Sequence, residues 1–219
     1  MPETSFKFED HADEFDNHID KSIVGYTGFV DDTVKISRFF IEPKTNVVDI
    51  GSSTGLFLKK MANYNKIKSV EYFGIEPVEA FGEVEGVTIL PDEFDNVDFK
   101  DNSCSFVTSL MTIQFLNIHE RTKIFNEVYK WLTPGGAFVF AEKLDMQDSK
   151  VNEILQNLVI EDKRQTFNDS EILDKDFGLR SVMHRGRADD FIYQAYDAGF
   201  KTCELIWQNR RFAGFVAIK

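Results

Sequence analysis

Seven short runs of the chain are rich in apolar and β-branched residues. They are 47–50, 70–75, 87–90, 105–113, 137–141, 200–207 and 212–218. Runs of this length, rich in Val, Ile and Phe and bounded by Gly, Pro, Asn or Asp, predict strands covered on both faces. Between them apolar residues recur every three or four positions, which predicts amphipathic helices. Residues 1–24, with Phe8, Ala12, Phe15, Ile19 and Ile23, form the first, and 31–40, 54–62, 118–132 and 189–198 follow. Ser22-Ile23-Val24-Gly25-Tyr26-Thr27-Gly28, with two glycines beside a tyrosine, reads as a shaped loop. Thr133-Pro134-Gly135-Gly136 reads as a turn that supplies positive φ. Only residues 78–86, with two glycines, remain for a helix after the second strand, so that crossover is predicted to be abbreviated.

Strands alternating with helices and closing on a hairpin predict one α/β domain over residues 1–219, its sheet mostly parallel. Two helices occupy 1–40. The charged segment 145–190 is predicted as a helical insertion, with Val151, Ile154, Leu155, Leu158 and Val159 on one helix and a second beginning near Ser170. A lid, an oligomer surface and a solvated hairpin all fit that insertion.

Composition narrows the picture. The 219 residues suffice for one domain with a real core, and 22 of them are phenylalanine, which predicts a phenylalanine-packed interior. A net charge of −12 argues against broad binding to a phosphate backbone, so nucleic acid is not favoured. Local basic segments at 180–187 and Arg210-Arg211 keep tRNA in view. Cys104 and Cys203 are too few for a disulfide framework or a structural zinc site, and their apolar surroundings predict buried free thiols in a reducing compartment. The acidic N-terminus has no signal-peptide pattern, and no apolar run reaches the roughly 20 residues that span a bilayer. A cytoplasmic protein with no membrane partner and no metal is the expectation.

The chemistry centres on Val47-Val48-Asp49-Ile50-Gly51-Ser52-Ser53-Thr54-Gly55. A glycine turn at the carboxyl end of a buried strand lets a ligand approach the backbone, and the helix that follows offers unpaired N–H groups. The pattern Asp-x-Gly-x-x-x-Gly differs from the Gly-x-Gly-x-x-Gly of dinucleotide binders. It resembles motif I of the class I S-adenosylmethionine-dependent methyltransferases. That resemblance implies a Rossmann-like three-layer sandwich, with a mostly parallel seven-stranded sheet and one antiparallel strand. Glu76-Pro77 ends the second strand, where a carboxylate can accept both hydroxyls of a ribose. Glu93-Phe94 follows the third strand, where an acid and an aromatic can flank an adenine.

Several blocks together resemble the carboxy-S-adenosyl-L-methionine synthase family, from about Phe8 to the C-terminus. They are Ser22–Tyr26, Asp49–Gly55, Ile113-Gln114-Phe115-Leu116, Leu132–Ala137, Ala141-Glu142-Lys143, Asp162-Lys163-Arg164 and Leu205-Ile206-Trp207-Gln208. The resemblance implies a homodimer that binds S-adenosyl-L-methionine and makes carboxy-S-adenosyl-L-methionine by transferring the carboxyl of prephenate to the sulfonium methyl. That product serves wobble-uridine modification in tRNA. Carried over by position, Tyr26, Gly51, Ser52 and Ser53 contact the methionine end, Glu76 the ribose, and Glu93 and Phe94 the adenine. Ser109 or Leu110 replaces the family's asparagine after the fourth strand. Where the family has Lys-Arg in the insertion, this chain has Lys175-Asp176. In the family that arginine reads the extra carboxylate, and an aspartate repels one. Arg180, one helical turn on, is the expected substitute.

The expectation at this point is a transferase binding S-adenosyl-L-methionine, foremost a methyltransferase of unassigned acceptor. Carboxy-S-adenosyl-L-methionine synthesis and a non-catalytic partner subunit are the alternatives. A sulfonium leaves without acid catalysis, so positioning and water exclusion are the main demands on the protein. Glu142, at the end of the fifth strand, His184, Tyr26 and Arg180 are the catalytic candidates. An ion pair of Glu142 with Lys143 or Arg164, and a covering role for Tyr26, are the competing assignments. His11, His18 and His119 are expected on the surface.

Overall fold

The computed structural model describes residues 15–78, 84–180 and 182–219. Its strands are β1 (Asn46–Ile50), β2 (Glu71–Ile75), β3 (Thr88–Leu90), β4 (Cys104–Leu110), β5 (Leu132–Lys143), β6 (Thr202–Asn209) and β7 (Phe212–Ile218). Its helices are α1 (Phe15–Ser22), α2 (Tyr26–Ser37), α3 (Leu56–Asn65), α4 (Ile118–Trp131), α5 (Ser149–Lys163), α6 (Asp169–Arg180) and α7 (Ala188–Ala198). One sheet of seven strands runs in the order β3-β2-β1-β4-β5-β7-β6. Strands β1 to β5 are parallel, and β7 lies antiparallel between β5 and β6. This is the sheet that the strand pattern implies.

Alternation along each strand divides the core. Val48, Ile50, Val107, Phe138, Phe140 and Phe215 face α4 and α7, against Ile124, Phe125, Val128 and Phe191. Val47, Phe106, Ala137 and Val139 face the other way, toward Phe29, Val34, Leu58 and Met61 of α2 and α3. The phenylalanines do pack the interior: Phe125 meets Phe138 and Phe140 edge-on at 5.5 and 5.1 Å, and Phe140 stacks on Phe215 at 5.0 Å. Each fully buried ring of this kind contributes roughly 1.5–3 kcal/mol. Both cysteines are buried free thiols, and burial pushes them up to about 11 for Cys104 and about 12 for Cys203.

The boundaries correct the sequence reading in four places. Helix α2 begins at Tyr26 rather than Asp31. Gly25, at φ +80, breaks the chain between α1 and α2, while Gly28 lies inside the helix, so a single glycine makes the loop. Strand β4 stops at Leu110, and Ile113–Phe115 turns as a short 3₁₀ helix. Pro134 to Gly136 belong to an extended β5 whose Gly135 takes φ +85; Gly135 N–H and Gly136 C=O pair with Lys219. Finally, α4 carries a capping box that the apolar pattern does not reveal. Asn117 accepts from the N–H groups of His119 and Glu120, and Glu120 accepts from Asn117. The core of the crossover after β2, at 79–83, and residues 1–14 fall outside the described residues, so His11 and most of the first predicted helix do too. No helix among the described residues is long and apolar enough to cross a membrane.

Gly214 shows how tightly α2 sits on the sheet. A Cβ there would lie 2.4 Å from the Phe29 ring, which itself stacks on Trp207 at 4.8 Å. Gly214→Ala should therefore cost about 1–3 kcal/mol through overpacking. Urea denaturation checks this, and an unchanged midpoint would show that Phe29 can swing clear.

Candidate functional site

The carboxyl end of β1 makes the turn around which the site is built. Gly51 sits at φ +75, and a Cβ there would lie 2.2 Å from Thr112 Oγ1. No other residue fits both the backbone angle and the space. The N–H groups of Gly51 and Ser52 both donate to the Ile75 carbonyl, at 2.9 and 3.2 Å, tying the turn to the end of β2. Ser53 follows at φ +49, a strained angle for a residue with a Cβ. The hydroxyls of Ser52 and Ser53 are buried and find no hydrogen-bond partner among the described residues. Buried orphan hydroxyls are costly, and a polar ligand in the turn would satisfy them.

Two acids stand beside this turn. Asp49 is fully buried and accepts from Thr108 Oγ1 at 2.6 Å. Burial pushes its carboxyl up to about 8 against that bond, and the nearby Glu76 adds to the rise. Glu76 accepts from the Ser53 N–H at 2.9 Å through Oε2 and from the Val78 N–H at 3.0 Å through Oε1. Burial raises it too, opposed by these two bonds. Ser53 N–H thus binds an acid, while its hydroxyl is buried with no hydrogen-bond partner among the described residues.

A cavity of about 570 Å³ opens over these groups at the carboxyl ends of the strands. That volume suits a cofactor-sized ligand. It is lined by Asp49, Gly51, Ser52, Ser53, Glu76, Pro77, Glu93 and Phe94, and by Tyr26 from the start of α2. Phe94 is itself held by Trp131, with ring centroids 5.3 Å apart. Of the residues singled out in the sequence as cofactor contacts, two are placed elsewhere. Ser109 donates its hydroxyl to the Ile50 carbonyl at 3.2 Å inside the sheet, and its neighbour Leu110 lines the cavity instead. Gly55 caps α3 and packs toward Val84 and Ile89, with Thr54 and Leu56 on the wall at either side.

Three of the four catalytic candidates also lie off the wall. His184 is exposed, and its backbone N–H donates to the Gln114 carbonyl at 2.6 Å. Arg180 is exposed, bound to Asp176 at 2.7 Å and laid over the Phe177 ring at 5.0 Å. Glu142 is wholly buried and acts as a brace. Its Oε1 accepts from Ile113 N–H at 3.1 Å and its Oε2 from Gln114 N–H at 2.7 Å. Burial pushes it up to about 8; the same two N–H groups and the charge of Arg121 oppose the rise. Its charged neighbour is therefore Arg121 of α4, not Lys143 or Arg164; Arg164 pairs with Asp169 at 2.7 Å. Gln114 extends the brace: its side chain accepts from Lys143 N–H at 2.9 Å and donates to the Met111 carbonyl at 3.0 Å. Met111, at φ +61, and Gln114 both face the cavity, so Glu142 shapes the wall without touching its contents.

What the sequence reading missed is a basic end. Lys143 of β5, Lys163 of α5 and Lys175 of α6 line the same cavity. Burial lowers all three, Lys143 and Lys175 to about 7 each; Lys163 adds to the fall of both, Lys143 to that of Lys175, and Arg211 and Arg185 to that of Lys143. Asp176 partly offsets the charge on Lys143 and Lys163. No spacing could have joined these lysines, because three separate elements bring them together.

Residues 48–140 match the family described as methyltransferase domain. Over 223 residues the chain is 32% identical to the carboxy-S-adenosyl-L-methionine synthase of Staphylococcus epidermidis, covering 98% of this chain and 96% of that protein. The synthase of the same name from Nautilia profundicola is 28% identical, with 99% and 96% covered. Among solved structures, an S-adenosylmethionine-dependent methyltransferase of Thermotoga maritima, described as a possible histamine N-methyltransferase, gives a TM-score of 0.62. It is 19% identical, with 97% of this chain and 98% of that chain covered. An S-adenosylmethionine-dependent methyltransferase of Aquifex aeolicus gives 0.57 at 13% identity, with 97% and 99% covered. The fold is that of the class I methyltransferases.

Two outcomes test this account. Glu142→Gln turns an amide NH₂ toward an N–H it formerly accepted, at a cost of about 1–3 kcal/mol. The denaturation midpoint should fall and nucleoside binding weaken with it. Wild-type stability with turnover lost a hundredfold would instead make Glu142 a reacting group. The second concerns pH. Folded Asp49 is held near 8, so between pH 5 and 7 the folded chain keeps a proton that the unfolded chain has released. Its contribution to stability declines as pH rises through that window. Thermal melts of the ligand-free protein should show that decline, and Asp49→Asn should flatten it.

Proposed function

The chain belongs to the carboxy-S-adenosyl-L-methionine synthase family, and from that premise we propose that it makes carboxy-S-adenosyl-L-methionine from S-adenosyl-L-methionine and prephenate. It is an S-adenosyl-L-methionine-dependent transferase. One observation supports the finer reading above the others. A single cavity joins an acidic, hydroxyl-lined end at β1, β2 and β3 to a basic end at β5 and the insertion. The first suits a nucleoside carrying a cationic sulfonium, and the second suits a carboxylate.

In this reading Glu76 accepts the ribose hydroxyls, Glu93 and Phe94 flank the adenine, and Ser52, Ser53 and the Gly51 turn take the methionine end. Pro77 stiffens the wall beside the ribose. Asp49 lies under the turn, its carboxyl held toward the neutral form by burial. Tyr26 covers the cavity from α2. When bound, S-adenosyl-L-methionine supplies a methyl group activated by its sulfonium; in the net reaction that methyl exchanges a hydrogen for the carboxyl of prephenate, leaving phenylpyruvate and water. The apolar side chains of Met111, Phe115 and Leu116 exclude water from that end.

Methyl transfer to an unassigned acceptor is the second reading, favoured by Asp176 at the place where the resemblance puts a carboxylate-reading arginine. Residues 1–219 then form one domain, with 145–190 as its lid. Assembly as a homodimer rests on the family resemblance, and a cytoplasmic location on the signal-free acidic N-terminus and the two free thiols. Direct contact with tRNA is not favoured by the acidic charge.

Mass spectrometry of nucleosides released from the purified protein tests the reading. Carboxy-S-adenosyl-L-methionine, or its formation from prephenate, is expected. S-adenosyl-L-methionine or its demethylated product alone would shift the assignment to methyl transfer. Glu76→Ala removes a charged acceptor worth roughly 1.5–3 kcal/mol and should weaken nucleoside binding about 10- to 100-fold by calorimetry.

A further inference from the structure

We propose that Gln114 is a positioning residue that latches α6 over the cavity, and that release of this latch lets a nucleoside enter and leave. The inference rests on the reading above that the cavity holds an S-adenosylmethionine-type nucleoside. It divides the insertion into a fixed half and a moving half.

The packing carries it first. Helix α5 is fastened to the turn between β6 and β7, where Arg211 donates to Gln156 Oε1 at 2.7 Å and Arg210 pairs with Asp162 at 3.1 Å. Its Val159 is buried in the layer that holds Phe29 and Leu58. Helix α6 is held differently. Leu173 and Phe177, one turn apart, are each more than half exposed, and the buried Ile172 joins neither packed layer among the described residues. Lys175 reaches Ser22 Oγ of α1 at 3.4 Å, and Asp169 pairs with Arg164 at 2.7 Å. A helix that gives so little apolar surface to the core can open without unfolding the domain. Yet α6 and the turn after it bring Lys175, Leu179 and Met183 to the cavity wall, so its departure would open the cavity from that side.

The hydrogen bonds carry it further. The chain leaves the sheet after Lys143 and returns at Gly186, and the two passes lie side by side. Leu144 bridges Gly186 in parallel, and the Asp145 N–H donates to the Gly186 carbonyl at 2.9 Å. Gln114 reaches both passes. Its side-chain oxygen accepts from the Lys143 N–H at 2.9 Å on the outgoing pass, and its backbone carbonyl accepts from the His184 N–H at 2.6 Å on the returning one. Its side-chain NH₂ donates to the Met111 carbonyl at 3.0 Å, and its backbone N–H to Glu142 at 2.7 Å. These bonds fix the turn that presents the carbonyl to His184. Gly186 is a firm return point, since a Cβ there would lie 3.1 Å from the Phe191 ring and 3.3 Å from Arg121 Nη1. The bond from His184 to Gln114 is therefore a tie between α6 and that point. Gln114 and Met111 also line the cavity, so the latch and the ligand share a wall. Loosening the Gln114 side chain frees the turn, and α6 can then swing about Gly186 while α5 stays in place.

Hydrogen exchange on the full chain, read segment by segment, tests this without any ligand. In the wild type α6 should exchange faster than α5. Gln114→Met removes both side-chain bonds; it should speed exchange in α6 about tenfold and leave α4 and β7 within about twofold. His184→Pro removes the donating N–H itself and should reproduce that pattern, so the latch stays testable if Gln114→Met fails to fold. Stopped-flow tryptophan fluorescence with S-adenosyl-L-homocysteine supplies the functional readout. Gln114→Met should speed association and dissociation together, each about fivefold, and leave Kd within about threefold. The proposal is overturned if α5 and α6 exchange alike in the wild type, if exchange in Gln114→Met rises throughout the fold, or if it rises nowhere. It is also overturned if Kd weakens with association unchanged, which would make Gln114 a ligand contact. Failure of the wild type to bind S-adenosyl-L-homocysteine would remove the nucleoside reading, and the exchange pattern would still decide the latch.

Discussion

Two N–H groups share one carbonyl, and the site depends on it. Gly51 and Ser52 both donate to Ile75, which binds the end of β1 to the end of β2 within the turn itself. That closure requires the positive φ of Gly51 and leaves its α-carbon pressed toward Thr112. It also turns Ser53 so that its N–H meets Glu76 and its hydroxyl stays without a protein partner. A cradle with unsatisfied hydroxyls and a committed acid is stable only because the surrounding core is closely packed. The phenylalanine layers on both faces of the sheet supply the rigidity that holds the strained residues in place.

The second constraint is electrostatic. A low-dielectric cavity that holds buried acids at one end and buried amines at the other stores opposite penalties, since both kinds of group are driven toward neutrality. A ligand that is cationic near Asp49 and anionic near Lys143 relieves both at once. The polarity thereby selects for zwitterionic or carboxylated ligands, because a neutral ligand leaves both penalties in place. The brace of Glu142 and Gln114 holds the two ends in register, since Gln114 bonds the backbone of Met111 on one side and of Lys143 on the other.

Much of this was legible from residues adjacent in sequence. The period of the apolar runs shows every strand, and Asp49 to Gly55 shows the cradle because a strand, a turn and a helix start are all local. Glu76, Pro77, Glu93 and Phe94 could be placed because strand ends in a parallel sheet gather on one edge. Where the reading failed, the partner was distant. Glu142 looked paired with its neighbour Lys143, yet the strand alternation sends them to different surroundings, and its oxygens meet a turn 28 and 29 residues away. Ser109 was considered, with Leu110, because one of them stands in place of the family's asparagine, but its hydroxyl donates to β1 across the sheet and Leu110 lines the cavity. Tyr26 was assigned to a loop because two glycines flank it, and only Gly25 adopts the left-handed angle.

The exchange of arginine for Asp176 then has a physical sense. An arginine there would add a fixed charge beside Lys143 and Lys163, and burial would magnify the repulsion. An aspartate has the opposite effect on Lys143 and Lys163, and Arg180 pairs with it at 2.7 Å. If the basic end takes a carboxylate, as proposed above, recognition passes from one planar, permanently charged fork to amines. A fork fixes the orientation of its ligand through paired bonds, whereas converging ammonium groups accept a carboxylate at a range of angles. Such a site trades geometric selectivity for charge selectivity.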